Sequence, residues 1–304
     1  MKGFRITVSL AICMTGWAAQ AWAAEVAPGM NILQAVVLGI VEGLTEYLPV
    51  SSTGHLFLAA SLMGLGDTVL AKAASNAYVI AIQIGAIMAV VWLYPGRIAQ
   101  MALGIAGRDP RGLRLALNTV AAFVPAAVIG LAFGDLIKGY LFGIWPITAA
   151  WLLGGIAILA VARGMRERVT GGMDVGELNL PKALVIGLIQ CLAMWPGVSR
   201  SLVTILGGVL VGLSVPAAVE FSFILGLITL GSATSYELLK EGPGIIIQFG
   251  WLSPAIGIGV AFISAVVAVK WMVAYLNRHG LEIFGYYRIA LAFLVMGLIL
   301  AGIL

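Results

Sequence analysis

Apolar runs of about twenty residues recur along this chain, and that length is what a helix needs to cross the hydrocarbon of a bilayer. They lie near 76–94, 116–134, 144–163, 217–239, 252–277 and 284–304. A chain of 304 residues that is 62% hydrophobic and 10% charged cannot bury such runs in a soluble core. The runs are also too long and continuous for a membrane β-barrel, whose strands alternate over about ten residues. The pattern predicts an all-α, polytopic membrane protein with six transmembrane helices. A net charge of +4 calls for no nucleic acid, because cytoplasmic loops of membrane proteins carry excess Lys and Arg.

Two further stretches do not fit a simple crossing. Residues 30–66 and 181–213 each hold a short apolar helix, a polar break containing proline, and a second short apolar helix. Irregular backbone is tolerated at membrane depth only inside protein or along a wet cavity. Both stretches therefore read as re-entrant helical hairpins. They also resemble each other: at an offset of 148, Gly39 pairs with Gly187, Glu42 with Gln190, Ser51 with Ser199 and Thr53 with Ser201. With three crossings after each hairpin, repeat one spans about 30–163 and repeat two about 181–304, in inverted topology. Broken helices that meet across such repeats build the central sites of many transporters.

Residues 1–23 form a separate module: a basic head, an apolar stretch, and Ala21-Trp22-Ala23 as a small-residue cleavage pattern. That is the plan of a signal peptide; residues 24–304 are then a single membrane domain. Arginines and lysines gather in 95–115, 163–182 and the turn near 278–288, which includes Arg288. If those loops are cytoplasmic, both termini are periplasmic, in agreement with a cleaved leader. Cys13 and Cys191 have no partners for a disulfide or a metal site.

The breaks concentrate the chemistry. Glu42 and Glu46 share a helix face, and two carboxylates so close in a low dielectric need a proton or a cation between them. Pro49 ends their helix, and Ser51, Ser52, Thr53 and Gly54 open the next, where free N–H groups attract an anion. The second break repeats this with Ser199 and Ser201, and adds Arg200, whose forked guanidinium matches phosphate oxygens. His55 stands three residues after Ser52. Carboxylates suit a divalent cation and the other groups suit phosphate, so the pocket reads as a metal-diphosphate site. Glu220 is a further intramembrane acid, read equally as site support or as a structural hydrogen-bond partner, and His279 reads as a surface residue.

"EGLTEYLPVSSTGH" at 42–55 together with "WPGVSRS" at 195–201 closely resembles the bacterial undecaprenyl-pyrophosphate phosphatases of the bacitracin-resistance type. The likeness runs from residue 30 to the C-terminus. It implies a metal-dependent inner-membrane enzyme that hydrolyses a C55 isoprenyl diphosphate to its monophosphate, recycling the lipid carrier of cell-wall synthesis. Carried over by position, Glu42 and Glu46 are the metal pair, Ser52 the nucleophile or a phosphate contact, His55 a proton-transfer group and Arg200 the phosphate clamp. Ser51, Thr53, Gly54, Ser199 and Ser201 contact substrate, and the cation is Mg or Ca. The family pattern S-R-S-G is broken by Leu202, which weakens the assignment of Ser201. Attack by Ser52, activated by His55 or Glu46, competes with direct attack by water activated through Glu46. A polyprenyl-phosphate transporter or flippase is the alternative of a different class, and a homodimer is an open state of assembly.

Overall fold

The computed structural model describes residues 30–65, 69–165, 171–276 and 278–304. The leader-like residues 1–23, Arg166 and Arg168 lie outside them. Every long element is a helix, as expected. In chain order they are α1 (Ile32–Thr45), α2 (Ser52–Leu62), α3 (Val69–Leu93), α4 (Pro95–Ile105), α5 (Pro110–Leu141), α6 (Ile144–Met165), α7 (Leu180–Gln190), α8 (Arg200–Leu210), α9 (Val215–Phe249), α10 (Leu252–Leu276) and α11 (Glu282–Leu300). Five of them, α5, α6, α9, α10 and α11, are long and apolar enough to cross a membrane. The 78–93 part of α3 and α4 pass the same test only together, as a pair bent by 83°; counted as one span, the pair brings the number to six. Pro95 causes the bend: it opens α4 without a donor, and Tyr94 before it leaves the helical region at φ −120° and ψ 43°.

Two loops expected from the sequence are partly helical. Residues 95–105 form α4, and α9 continues to Phe249 through the stretch 240–249. Two charges counted as loop residues also move: Arg97 sits on α4, and Arg288 is fully buried within α11. Arg97 forms an ion pair with Glu220, which makes that acid a structural partner outside the paired breaks. His279 is exposed and stacks on Tyr275, a surface residue as expected.

The two broken segments match at their first caps and along their second helices, while the second carries a 3-10 turn, Cys191–Met194, where the first helix of the other runs on to Thr45. Asn31 caps α1 through a capping box with Gln34, and Asn179, 148 residues on, caps α7 by accepting from the Lys182 N–H. Helix α2 starts at Ser52 and ends at Leu62; α8 starts at Arg200 and ends at Leu210, the same offset at both ends. The packing crosses between repeats. Helix α1 lies along α10, α7 along α5, α3 along α9, and α6 along α11. Glycines allow the closest of these approaches: a Cβ on Gly43 would stand 2.4 Å from the Ala261 carbonyl oxygen, and one on Gly187 2.4 Å from that of Ala122. The core follows the breaks, with Tyr47, Val50, Leu202, Phe221 and Phe223 packed at its centre.

Candidate active site

Ser51 and Ser199, the caps of α2 and α8, hold φ of 75° and 81° and are the two non-glycine residues with positive φ among the described residues. Such a backbone costs about 1–3 kcal/mol at each position and persists only where its surroundings enforce it. The reward is helix geometry. Ser51 Oγ accepts from the Gly54 N–H, and Ser199 Oγ from the Leu202 N–H at 3.3 Å. The first helical bonds run from His55 N–H and Val203 N–H to the cap carbonyls. That leaves the N–H groups of Ser52 and Thr53, and those of Arg200 and Ser201, at two helix starts that favour an anion. Leu202 has a structural place: its side chain is buried in the core and its N–H serves the cap.

Between these starts lies one connected group. Ser52 Oγ donates to Glu46 Oε2, and Arg200 Nη2 donates to Glu46 Oε1 at 3.2 Å. A hydroxyl and its carboxylate thus come from break one, and the guanidinium that orients the carboxylate from break two. Arg200 Nη1 also donates to the Ser222 carbonyl at 2.9 Å, and its guanidinium lies 5.4 Å from the Tyr47 ring centroid. Gly226 makes room for it, since a Cβ there would stand 2.5 Å from Nη1. Arg200 Nε and the Tyr47 hydroxyl are buried without partners.

Glu42 is fully buried, and both its carboxylate oxygens lack a hydrogen-bond partner. Its counterpart in repeat two, Gln190, is equally enclosed but satisfied: its amide donates to the Ala122 carbonyl and accepts from the Thr229 hydroxyl. One position in the repeat is therefore a hydrogen-bonded anchor and the other a bare carboxylate beside Glu46. Burial of an unpaired carboxylate demands a proton or a cation. Hard oxygen donors suit Mg or Ca. Among the described residues no group of three or more His, Cys, Asp or Glu forms a metal cluster. Glu42 and Glu46 fit as two oxygen donors of a site that phosphate oxygens and water would complete.

His55 is placed differently from Ser52. Its Nδ1 stands 2.7 Å from the Ser51 carbonyl, so Nδ1 carries a proton, and its Nε2 stands 2.7 Å from the Tyr287 hydroxyl. The ring stacks on Tyr287 and meets Trp151 edge-on. The contact to the Ser52 hydroxyl is made by Glu46. Ser201 links the breaks, donating to the Leu48 carbonyl at 2.9 Å beside Ser199 Oγ at 3.0 Å. Thr53 is half-buried on the first turn of α2, and Gly54 makes space for the Trp151 ring, 2.4 Å from where a Cβ would be.

Sequence reading missed Tyr47, Gly226, Tyr287 and Arg288. Arg288 donates to four backbone carbonyls, those of Pro49, Ala150, Trp151 and Gly197. Its place in a long apolar helix, rather than in the turn before it, is the signal that could have found it.

The chain matches the family model described as bacitracin resistance protein BacA over residues 35–294. It is 44% identical over 266 residues to the undecaprenyl-diphosphatase of Sorangium cellulosum (strain So ce56), covering 87% of this chain and 85% of that one. Undecaprenyl-diphosphatase 2 of Rhodospirillum rubrum is 42% identical over 272 residues, covering 90% and 96%. The undecaprenyl-diphosphatase of Methylibium petroleiphilum is 41% identical over 276 residues, covering 87% and 94%.

Proposed function

The chain belongs to the bacitracin resistance protein BacA family, and on that premise we infer that it hydrolyses undecaprenyl diphosphate to undecaprenyl phosphate and inorganic phosphate. It is a multi-pass membrane enzyme that recycles the lipid carrier of cell-wall synthesis and so gives bacitracin resistance. The observation that carries the chemistry is the Ser52–Glu46–Arg200 chain of hydrogen bonds, assembled from both breaks. A carrier needs no hydroxyl seated on a carboxylate, so the transporter reading loses its support.

In the mechanism, the diphosphate enters the pocket with its terminal phosphate against the N-termini of α2 and α8. Glu46 takes the proton of Ser52 Oγ as that oxygen attacks the terminal phosphorus. The bridging P–O bond breaks and undecaprenyl phosphate leaves. Water then cleaves the phosphoserine, releases phosphate and restores the Ser52 hydroxyl. Arg200 and the helix-start N–H groups stabilise the charge on the transferring group. Its unpartnered Nε gives the arginine a donor to spare for phosphate. Ser51, Thr53, Gly54, Ser199 and Ser201 shape the two starts that receive the anion. A divalent cation, Mg or Ca, held by Glu42 and Glu46 would neutralise phosphate charge. With its proton on Nδ1, His55 would use Nε2 as an acceptor, exchanging the Tyr287 hydroxyl for the hydrolytic water and taking a proton from it as that water attacks.

The protein resides in the inner membrane with both termini periplasmic, a reading supported by the arginines of 95–115 and by the leader-like start. The inverted relation of the repeats is supported by the crossed packing of α1 on α10 and α7 on α5.

Phosphate release from a C55 diphosphate in detergent tests the reading. Wild type should release phosphate, lose that activity in EDTA and regain it with Mg or Ca. Ser52→Ala and Glu46→Gln should each lose on the order of 10³-fold in kcat. Rapid acid quench should find phosphate on Ser52. Its absence at every time point, with activity intact, would replace the serine step by direct water attack.

A further inference from the structure

Arg288 is fully buried, and its guanidinium has no carboxylate partner among the described residues. A buried cation without a counter-charge is held only where its donors are well used. Four backbone carbonyls use them. Nη1 donates to Pro49 O at 3.3 Å, Nη2 to Gly197 O and Ala150 O, each at 2.8 Å, and Nε to Trp151 O at 3.4 Å. Pro49 and Gly197 are 148 residues apart, the offset that relates the two repeats. One side chain thus grasps the same carbonyl of both breaks. Each of those carbonyls lies two residues before a cap with positive φ, Ser51 or Ser199.

The other two acceptors belong to α6, which packs on α11. Trp151 of α6 reaches the same loop, donating its ring N–H to the Val50 carbonyl at 3.0 Å. The α6–α11 pair therefore grips the breaks from outside, and Arg288 is where the grip meets both at once.

We propose that Arg288 is a positioning residue for hydrolysis: its guanidinium fork ties the Pro49 and Gly197 carbonyls together and so sets the spacing between the Ser52–Glu46 pair of one break and Arg200 of the other. The proposal rests on the hydrolase reading above. It assigns Arg288 no contact with substrate. Its loss loosens the placement of the two breaks, which the reaction feels in the transferring phosphate more than in ground-state binding.

Three variants test it, in steady-state phosphate release with saturating Mg and in thermal melts of the same preparations. Arg288→Met should lower kcat at least 100-fold while KM changes less than about threefold. Arg288→Lys keeps the charge but lacks the planar fork, and should recover no more than a tenth of wild-type kcat. Gly154→Ala leaves Arg288 in place, but the new Cβ would stand 2.2 Å from Nη2; it should lower kcat about tenfold or more with KM held. Melts that stay close to wild type for Gly154→Ala, with kcat reduced, support positioning even if Arg288→Met fails to fold. Full activity in Arg288→Lys overturns the proposal in favour of charge alone. Losses of activity that only track the folded fraction in all three variants overturn it in favour of stability, and wild-type kcat and KM in a folded Arg288→Met overturn it outright. A wild type that releases no phosphate overturns the hydrolase reading and the proposal with it.

Discussion

Glu42 and Gln190 occupy matched positions in the two repeats, and their surroundings separate support from chemistry. The amide of Gln190 has a donor and an acceptor in place, whereas the carboxylate of Glu42 has neither. An unpaired buried carboxylate costs more than an unpaired amide. Glu42→Gln should therefore raise stability by on the order of 1 kcal/mol while lowering phosphate release at least 100-fold at any Mg concentration; melts without metal and a metal titration read the two effects. Glu42, Glu46, Ser52 and Arg200 were legible in the sequence because the hydrocarbon of a membrane makes every polar residue conspicuous. Tyr287 and Arg288 were not, for the same reason inverted. A tyrosine near a helix end resembles an interfacial anchor, and an arginine eight residues after a polar turn resembles a loop charge. Which side chain the Ser52 hydroxyl bonds to was also hidden, since Glu46 and His55 are both near in sequence and only the fold turns His55 toward Ser51 and Tyr287.

At the scale of elements, the two short broken helices depend on neighbours for their place. Gly43 lets α1 lie against the backbone of α10, so Gly43→Ala overpacks that contact and should cost about 1–3 kcal/mol. Gly259, on the same α10, has nothing within 4 Å of where a Cβ would stand, and Gly259→Ala should be neutral or stabilising by up to about 1 kcal/mol. The two melts, compared directly, isolate the close approach from the general cost of glycine. At the start of α5, the backbone N–H groups of Gly112 and then Arg111 hold the Asp109 carboxyl below its usual range. A group depressed in the folded state adds stability above its unfolded value, about 3.9, and loses it as pH falls through the folded value. Asp109→Asn should thus melt slightly below wild type at pH 7, and the gap should close below about pH 4. Helix α4 escaped the sequence reading because its arginine and glycines resemble a loop, although Pro95 marks the bend in front of it.

At the scale of the whole molecule, large apolar side chains such as Leu131, Phe133, Leu153, Val267 and Phe293 point outward, while most of the buried polar residues lie at or against the breaks. Lipid around the helices and water at the breaks suit that distribution. The proposed orientation has a direct test in a background with Cys13 and Cys191 replaced by serine. Arg111→Cys should react with a membrane-impermeant thiol reagent only after the membrane is opened, and Leu304→Cys in intact spheroplasts; the reverse pattern would turn the molecule over. The matched helix starts carry one more consequence. Helix α2 begins with Ser52 and α8 with Arg200, at the same repeat position, so the duplicated scaffold presents a hydroxyl at one helix start and a guanidinium at the other. Two identical halves would give a diphosphate no sense of direction. Under the proposed mechanism the pocket is as unsymmetrical as an isoprenyl diphosphate, whose one phosphate is esterified and whose other is free, and would tell head from tail.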